Sequence, residues 1–226
     1  MPFVLHSLPL LLIGVTVAAY WLSVVRMARA TYRRTGRAAN FFPREPVGLA
    51  LRALWLPAVV LWLAHPFVNA FTDPLTVLDA WRPLWASPVV RWASAVILVV
   101  CFALTRVCWK WMGTSWRMGI DPHEKTPLVA TGPFAYVRHP IYTLSALMMA
   151  ATVAAVGSPL MIGAGLVHVA LLLWESLREE QYLVKTHGER YAHYQANVGR
   201  FVPGSFRPYG GGTAAEAPQG REAAEK

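Results

Sequence analysis

Long apolar runs alternate with short polar stretches along this chain, and each run exceeds what a buried strand requires. Phe3 to Val25 carries no charged residue, and about 20 apolar residues suffice for a helix to cross a 30 Å hydrocarbon core. It lacks a positive leading region and a small-residue cleavage site, so it reads as a retained first helix and not as a signal peptide. Val47 to Ala70 predicts a second span, with Arg52 near its start and Pro57 as a kink point. Val89 to Met112 predicts a third, closing on Arg106 and Lys110 beside Trp109 and Trp111. From Pro140 to Trp174 no position carries a formal charge. One straight helix of that length would run about 52 Å, well past the bilayer core. Gly157-Ser158-Pro159 breaks it into a hairpin whose two legs, each short for a full span, return the chain to one side.

The connections are equally patterned. Gly113 to Arg138 holds Pro122, Pro127 and Pro133 and predicts irregular structure. The second hairpin leg is expected to continue as helix through Lys185, with Gly188 as its stop. A short amphipathic piece, Glu189 to Asn197, follows and ends before Gly199 and Pro203. From Gly204 the Gly/Ala/Pro/Glu-rich tail has too little apolar mass to fold and reads as disordered. The expectation is an all-α polytopic membrane protein with about five transmembrane segments. Its parts are 1–112 as N-terminal helices, 113–203 as a core with the hairpin, and 204–226 as tail.

Composition sharpens this picture. The 226 residues are 55% hydrophobic and only 15% charged, against roughly 25% charged in soluble domains. The net charge of +9 would suit nucleic acid, but the arginines flank apolar segments, so the better reading is the positive-inside bias and contact with anionic lipid headgroups. Arg26, Arg29, Arg33, Arg34, Arg37 and Arg44 follow the first span with no acid before Glu45. The positive-inside bias therefore puts this loop in the cytoplasm and the N-terminus outside. The Phe71 to Pro88 stretch, with Asp73, Asp79, Arg82, Trp81 and Trp85, fits an external loop near the headgroups. The C-terminus is then cytoplasmic, in a bacterial inner-membrane setting, and the basic ends meet anionic lipid. Cys101 and Cys108 sit seven apart on one apolar helix and read as packing residues.

Candidate chemistry concentrates in the turn-rich block Leu128 to Tyr142 and in Glu175, Glu179 and Glu180 beyond the hairpin. Hairpin geometry returns those acids to the membrane side of Arg138, His139 and Tyr142. Each residue has an ordinary reading too: His139 as an interfacial hydrogen-bonding side chain, Arg138 as an anchor, Glu175 with Arg178 as a solvated helix end. Asp121, His123 and Glu124 read as solvated loop side chains, so no metal site is expected. Together the block and the acids suit a polar cofactor beside an apolar cleft.

Thr126-Pro-Leu-Val-Ala-Thr-Gly-Pro-Phe-Ala-Tyr-Val-Arg-His-Pro-Ile-Tyr142 resembles the cofactor-binding segment of the isoprenylcysteine carboxyl methyltransferase and phospholipid methyltransferase superfamily. Glu179-Glu180-Gln-Tyr-Leu183, Gly188-Glu-Arg-Tyr191, Tyr194 and Arg200-Phe-Val-Pro203 resemble its second motif. The resemblance covers Gly113 to Pro203. It implies S-adenosylmethionine bound at the cytoplasmic side, with Thr126, Pro127, Leu128 and Val129 along the adenosine. Phe134 matches a usual tyrosine, His139 a cofactor-contacting histidine, and Glu179 the carboxylate that holds the cofactor. His139, Tyr142 and Glu180 become the catalytic candidates. Leu144 stands where many members have glycine, and Glu175 where eukaryotic enzymes carry an arginine that reads a prenylcysteine carboxylate. Arg138 and Arg178 are the remaining cations for a small or lipid-like methyl acceptor.

Two rivals differ in chemistry. Sterol reductases that use NADPH carry a similar Arg-His-Pro-x-Tyr segment, but their later motif differs from Glu179-Glu180 and His187-Gly188-Glu-Arg-Tyr191. A non-catalytic membrane subunit could bind haem through His65 and His168, which show no paired spacing.

Overall fold

The apolar runs fold as helices, most of them extending beyond the run that predicts them. The computed structural model describes residues 2–36, 45–72, 87–120 and 127–210. Within them lie α1 (Pro2–Thr35), α2 (Pro46–Phe71), α3 (Pro88–Met112), α4 (Pro140–Val156), α5 (Pro159–His187) and α6 (Glu189–Asn197). The loop residues 37–44 and 73–86, the acids and histidine at 121–124, Thr126 and the tail from 211 lie outside the described residues.

Local chemistry sets the helix ends. Pro46, Pro88, Pro140 and Pro159 each open their helix, where the missing N–H costs nothing and φ is preset. Arg33 and Arg34 occupy the last turn of α1 and complement the carbonyl end of its dipole. Between α4 and α5, Gly157 takes a left-handed φ of 64°, a conformation that a Cβ would strain. Ser158 then accepts a hydrogen bond from the Met161 amide at 3.1 Å and caps α5.

Four helices are long and apolar enough to cross a membrane, and α4 is a shorter apolar helix of 17 residues. At 1.5 Å per residue α4 is about 26 Å long, close to the core thickness. The second leg continues beyond its apolar part as expected: it runs unbroken for 29 residues to His187, two residues past Lys185, and Gly188 caps it. Its charged end packs into the site described below.

The chain runs up and down, so one end of the bundle collects the close of α1, α3 and α5 and the start of α2 and α4. Helix α4 packs most extensively against α3, α1 lies against α2 and α3, and α2 lies against α5. Outward positions remain apolar, with Leu54, Leu56, Val60, Val96, Leu160 and Leu166 exposed, as expected where lipid replaces water. Polar side chains turn inward instead. Trp62 Nε1 donates to Thr152 Oγ1 at 2.9 Å, Trp55 Nε1 donates to His168 Nδ1 at 2.8 Å, and Ser145 Oγ lies 3.0 Å from His168 Nε2. These contacts tie α2 to α4 and α5. Among the described residues no strand forms, and one isolated parallel bridge joins Val137 to Gly199.

Residues 204–210 fold back rather than trailing away from Gly204. The Tyr209 amide donates to Ala135 O at 3.0 Å, and its hydroxyl lies 2.8 Å from His193 Nδ1. Its ring meets Tyr194 edge-on at 5.2 Å. One aromatic side chain is enough to anchor this otherwise polar stretch.

Candidate active site

The segment before α4 is shaped by a tight turn. Gly132 adopts φ +59°, and a Cβ there would lie 2.4 Å from the Trp111 ring. The turn buries Phe134, whose carbonyl accepts from Tyr194 Oη at 2.6 Å. The chain beyond α6 then pairs with the chain entering α4. Arg138 N donates to Gly199 O at 2.9 Å and His139 N to Arg200 O at 3.0 Å. Thr143 Oγ1 adds a bond to Phe201 O at 2.7 Å. The backbone carrying Arg138 and His139 is therefore clamped, though it belongs to no regular element.

Glu180 is the electrostatic hub behind this clamp. It is 3% exposed and receives Arg138 Nε at 3.0 Å, Arg200 Nε at 3.0 Å, Arg200 Nη2 at 2.7 Å and Gln195 Nε2 at 3.0 Å. His139 Nε2 lies 3.2 Å away. Arg138 also donates through Nη1 to Gln195 O at 2.7 Å and to Val198 O. A buried carboxylate is tolerable only when so fully matched. In return, its hydrogen bonds with Arg200 hold that guanidinium above its usual range. Nearby, burial pushes the Tyr191 and Tyr194 hydroxyls upward, so both remain neutral.

Glu179, one residue earlier, points elsewhere. Its Oε1 accepts from Tyr142 Oη at 2.5 Å, and Oε2 lies 3.6 Å from His139 Nδ1. The His139 and Tyr142 rings stack at 5.3 Å with 13° between planes. This group forms part of the wall of a cavity of about 240 Å³ at the shared bundle end. Pro127, Leu128, Val129, Phe134, Tyr191 and Tyr194 line another part. Tyr20 and Trp21 of α1, with Arg52 and Trp55 of α2, close the side toward the first two helices.

Residues 89–190 match the sequence profile of the family described as phospholipid methyltransferase. Over that stretch, just under half of the chain, the protein is similar to the phospholipid methyltransferases, a family of the integral membrane methyltransferase superfamily. No curated protein and no solved structure matches the chain significantly.

The matched segment runs from the head of α3 to the first two residues of α6. It contributes Pro127, Leu128, Val129, Phe134, Arg138, His139, Tyr142 and Glu179 to the cavity wall. Glu180 and Arg178 are not in that wall. Glu180 stands behind it, and Arg178 is held by Glu45 and by Glu175, the latter at 2.7 Å. Thr126 is outside the described residues. Both His168 nitrogens are engaged, by Trp55 and Ser145, which leaves neither for haem iron. No cluster of metal-binding side chains occurs among the described residues.

Sequence reasoning placed Arg200 in the second motif without a role and did not single out Gln195, because only the packing of α6 and the fold-back after it bring them to Glu180. Arg52 is a third such residue. Its guanidinium sits 5.4 Å from the Trp55 ring centroid, and its buried Nε has no hydrogen-bond partner. A lone cation in an apolar segment was the available signal.

Proposed function

We propose that this chain binds S-adenosylmethionine in the α3–α6 cavity and transfers its methyl group to a small or lipid-like acceptor arriving from the bilayer. The observation that carries this reading is Glu179, a carboxylate fixed by Tyr142 on the wall of a largely apolar cavity. A cationic cofactor needs such an anion together with aromatic faces, and here Tyr142, Tyr182 and Trp55 supply the rings. Pro127, Leu128, Val129 and Phe134 offer the apolar side of the cavity to an adenosine. The donor set therefore fits the group. Thr126 extends this segment as a proposed contact.

Bound there, S-adenosylmethionine would supply an already activated methyl, so no covalent nucleophile is required. The residues then act by positioning and by excluding water. Both ring nitrogens of His139 face carboxylates, so in this reading the ring orients Glu179 and Glu180 and is not the acceptor's base. Glu180 and Arg138 hold the clamp from behind. Tyr142 fixes Glu179. Arg178 ties the head of α2 to α5, and Arg52 is the cation left to meet an acceptor's polar group. The basic ends of α1 and α3 support a cytoplasmic face for the cavity.

The test is isothermal titration of the purified protein in detergent with S-adenosylhomocysteine. Micromolar binding that is lost in folded Glu179→Ala and His139→Ala variants is the expected result. Saturable NADPH binding with no response to S-adenosylhomocysteine would overturn it. The face is tested separately by a cytoplasmic-active reporter fused after Lys226.

A further inference from the structure

A second cavity opens at the same end of the bundle, between the last turns of α1 and α3. Trp109 and Trp116 line both cavities and separate them. The second one is lined by Arg26 and Arg34 from α1 and by Arg106 and Lys110 from α3, with no acidic side chain. Arg106 and Lys110 stand one turn apart, where like charges repel. Among the described residues none of the four cations has an acidic partner. All four are solvent-exposed, so their clustering in a concave mouth focuses a positive potential that favours an anion there.

Its surroundings point to the kind of anion. One turn deeper than Arg26 on the same flank lies exposed Leu22, and two turns deeper than Arg106 lies exposed Val99. The site thus joins a cationic, Trp-edged mouth to an apolar, lipid-facing flank. A soluble anion would use only the mouth, whereas a lipid uses both. We propose that this cavity binds the phosphodiester headgroup of an anionic phospholipid, with its acyl chains along the α1 and α3 flank. The site is distinct from the methyl-donor cavity and does not depend on the reading of that cavity. Basic pockets between transmembrane helices suit such headgroups, whose phosphate accepts several charge-assisted hydrogen bonds at once. Thr114 adds a hydroxyl donor at the rim.

The rival explanation is a general cationic surface, and α1 provides the control. Arg29 and Arg33 occupy the same turns but do not line the cavity. The delipidated protein in nonionic detergent is titrated with dioctanoyl-phosphatidylglycerol, dioctanoyl-phosphatidylcholine or inorganic phosphate. Bound adducts are read by native mass spectrometry and the melting midpoint by fluorescence. The phosphatidylglycerol arm should saturate and raise the midpoint. Affinity should fall roughly fivefold for each cation removed in Arg26→Gln/Arg106→Gln, while Arg29→Gln/Arg33→Gln titrates as wild type. Should the first double variant fail to fold, single Arg106→Gln carries the comparison. Equal losses in the two double variants, or an equal response to phosphatidylcholine, would overturn the proposal. So would an equal response to inorganic phosphate, which would make the occupant a soluble anion.

Discussion

Arg200 grips Glu180 with two parallel hydrogen bonds, Nε to Oε1 at 3.0 Å and Nη2 to Oε2 at 2.7 Å. This forked geometry is the strongest available between side chains. It also closes a loop in the chain, since Glu180 lies in α5 and Arg200 beyond α6. The two adjacent acids of the second motif thereby divide their work: Glu180 secures the fold and Glu179 faces the cavity.

Glu180→Ala removes the partner of the buried Arg138 and should cost about 3–5 kcal/mol. A thermal melt in detergent should show this loss. Glu179→Ala should retain most stability while losing S-adenosylhomocysteine binding. If Glu180→Ala melts like wild type, the hub has no structural weight.

Tyr142→Phe keeps the ring that stacks on His139 but deletes the hydroxyl held 2.5 Å from Glu179. A hydrogen bond to a charged group contributes about 1.5–3 kcal/mol, which corresponds to roughly 10- to 100-fold in affinity. Calorimetric binding of S-adenosylhomocysteine should weaken within that range, with the melting midpoint little changed.

Arg52→Gln should raise the acceptor KM and leave methyl-donor binding near wild type, because Arg52 meets the cavity from α2 rather than from the segment that matches the family. The comparison needs only initial rates at saturating donor, once an acceptor is in hand. Equal weakening of donor and acceptor would assign Arg52 to the donor side.

Gly132→Ala must place a Cβ 2.4 Å from the Trp111 ring at a positive φ. Strain and overpacking together should destabilise by about 1–3 kcal/mol. Gly163→Ala meets open space inside α5, so it should be neutral or gain up to about 1 kcal/mol. Paired melting curves check both.

The sequence by itself determined the helices and their ends. Uncharged runs, opening prolines and the Gly157-Ser158-Pro159 break are local signals, and hydrophobic burial acts on them directly. It also determined that His139, Tyr142 and Glu179 should share one membrane side, since a hairpin allows no other return. The reach of α5 to about Lys185 was legible from the Gly188 stop, but the tertiary partners that neutralise its charged end were not. Arg178 with Glu45 and Glu175, and Glu180 with its arginines, provide that neutralisation. The separate roles of Glu179 and Glu180 were hidden for a related reason. Adjacent helix residues point about 100° apart, and only the packing of α4, α6 and the Arg200 loop decides which direction is cavity and which is core.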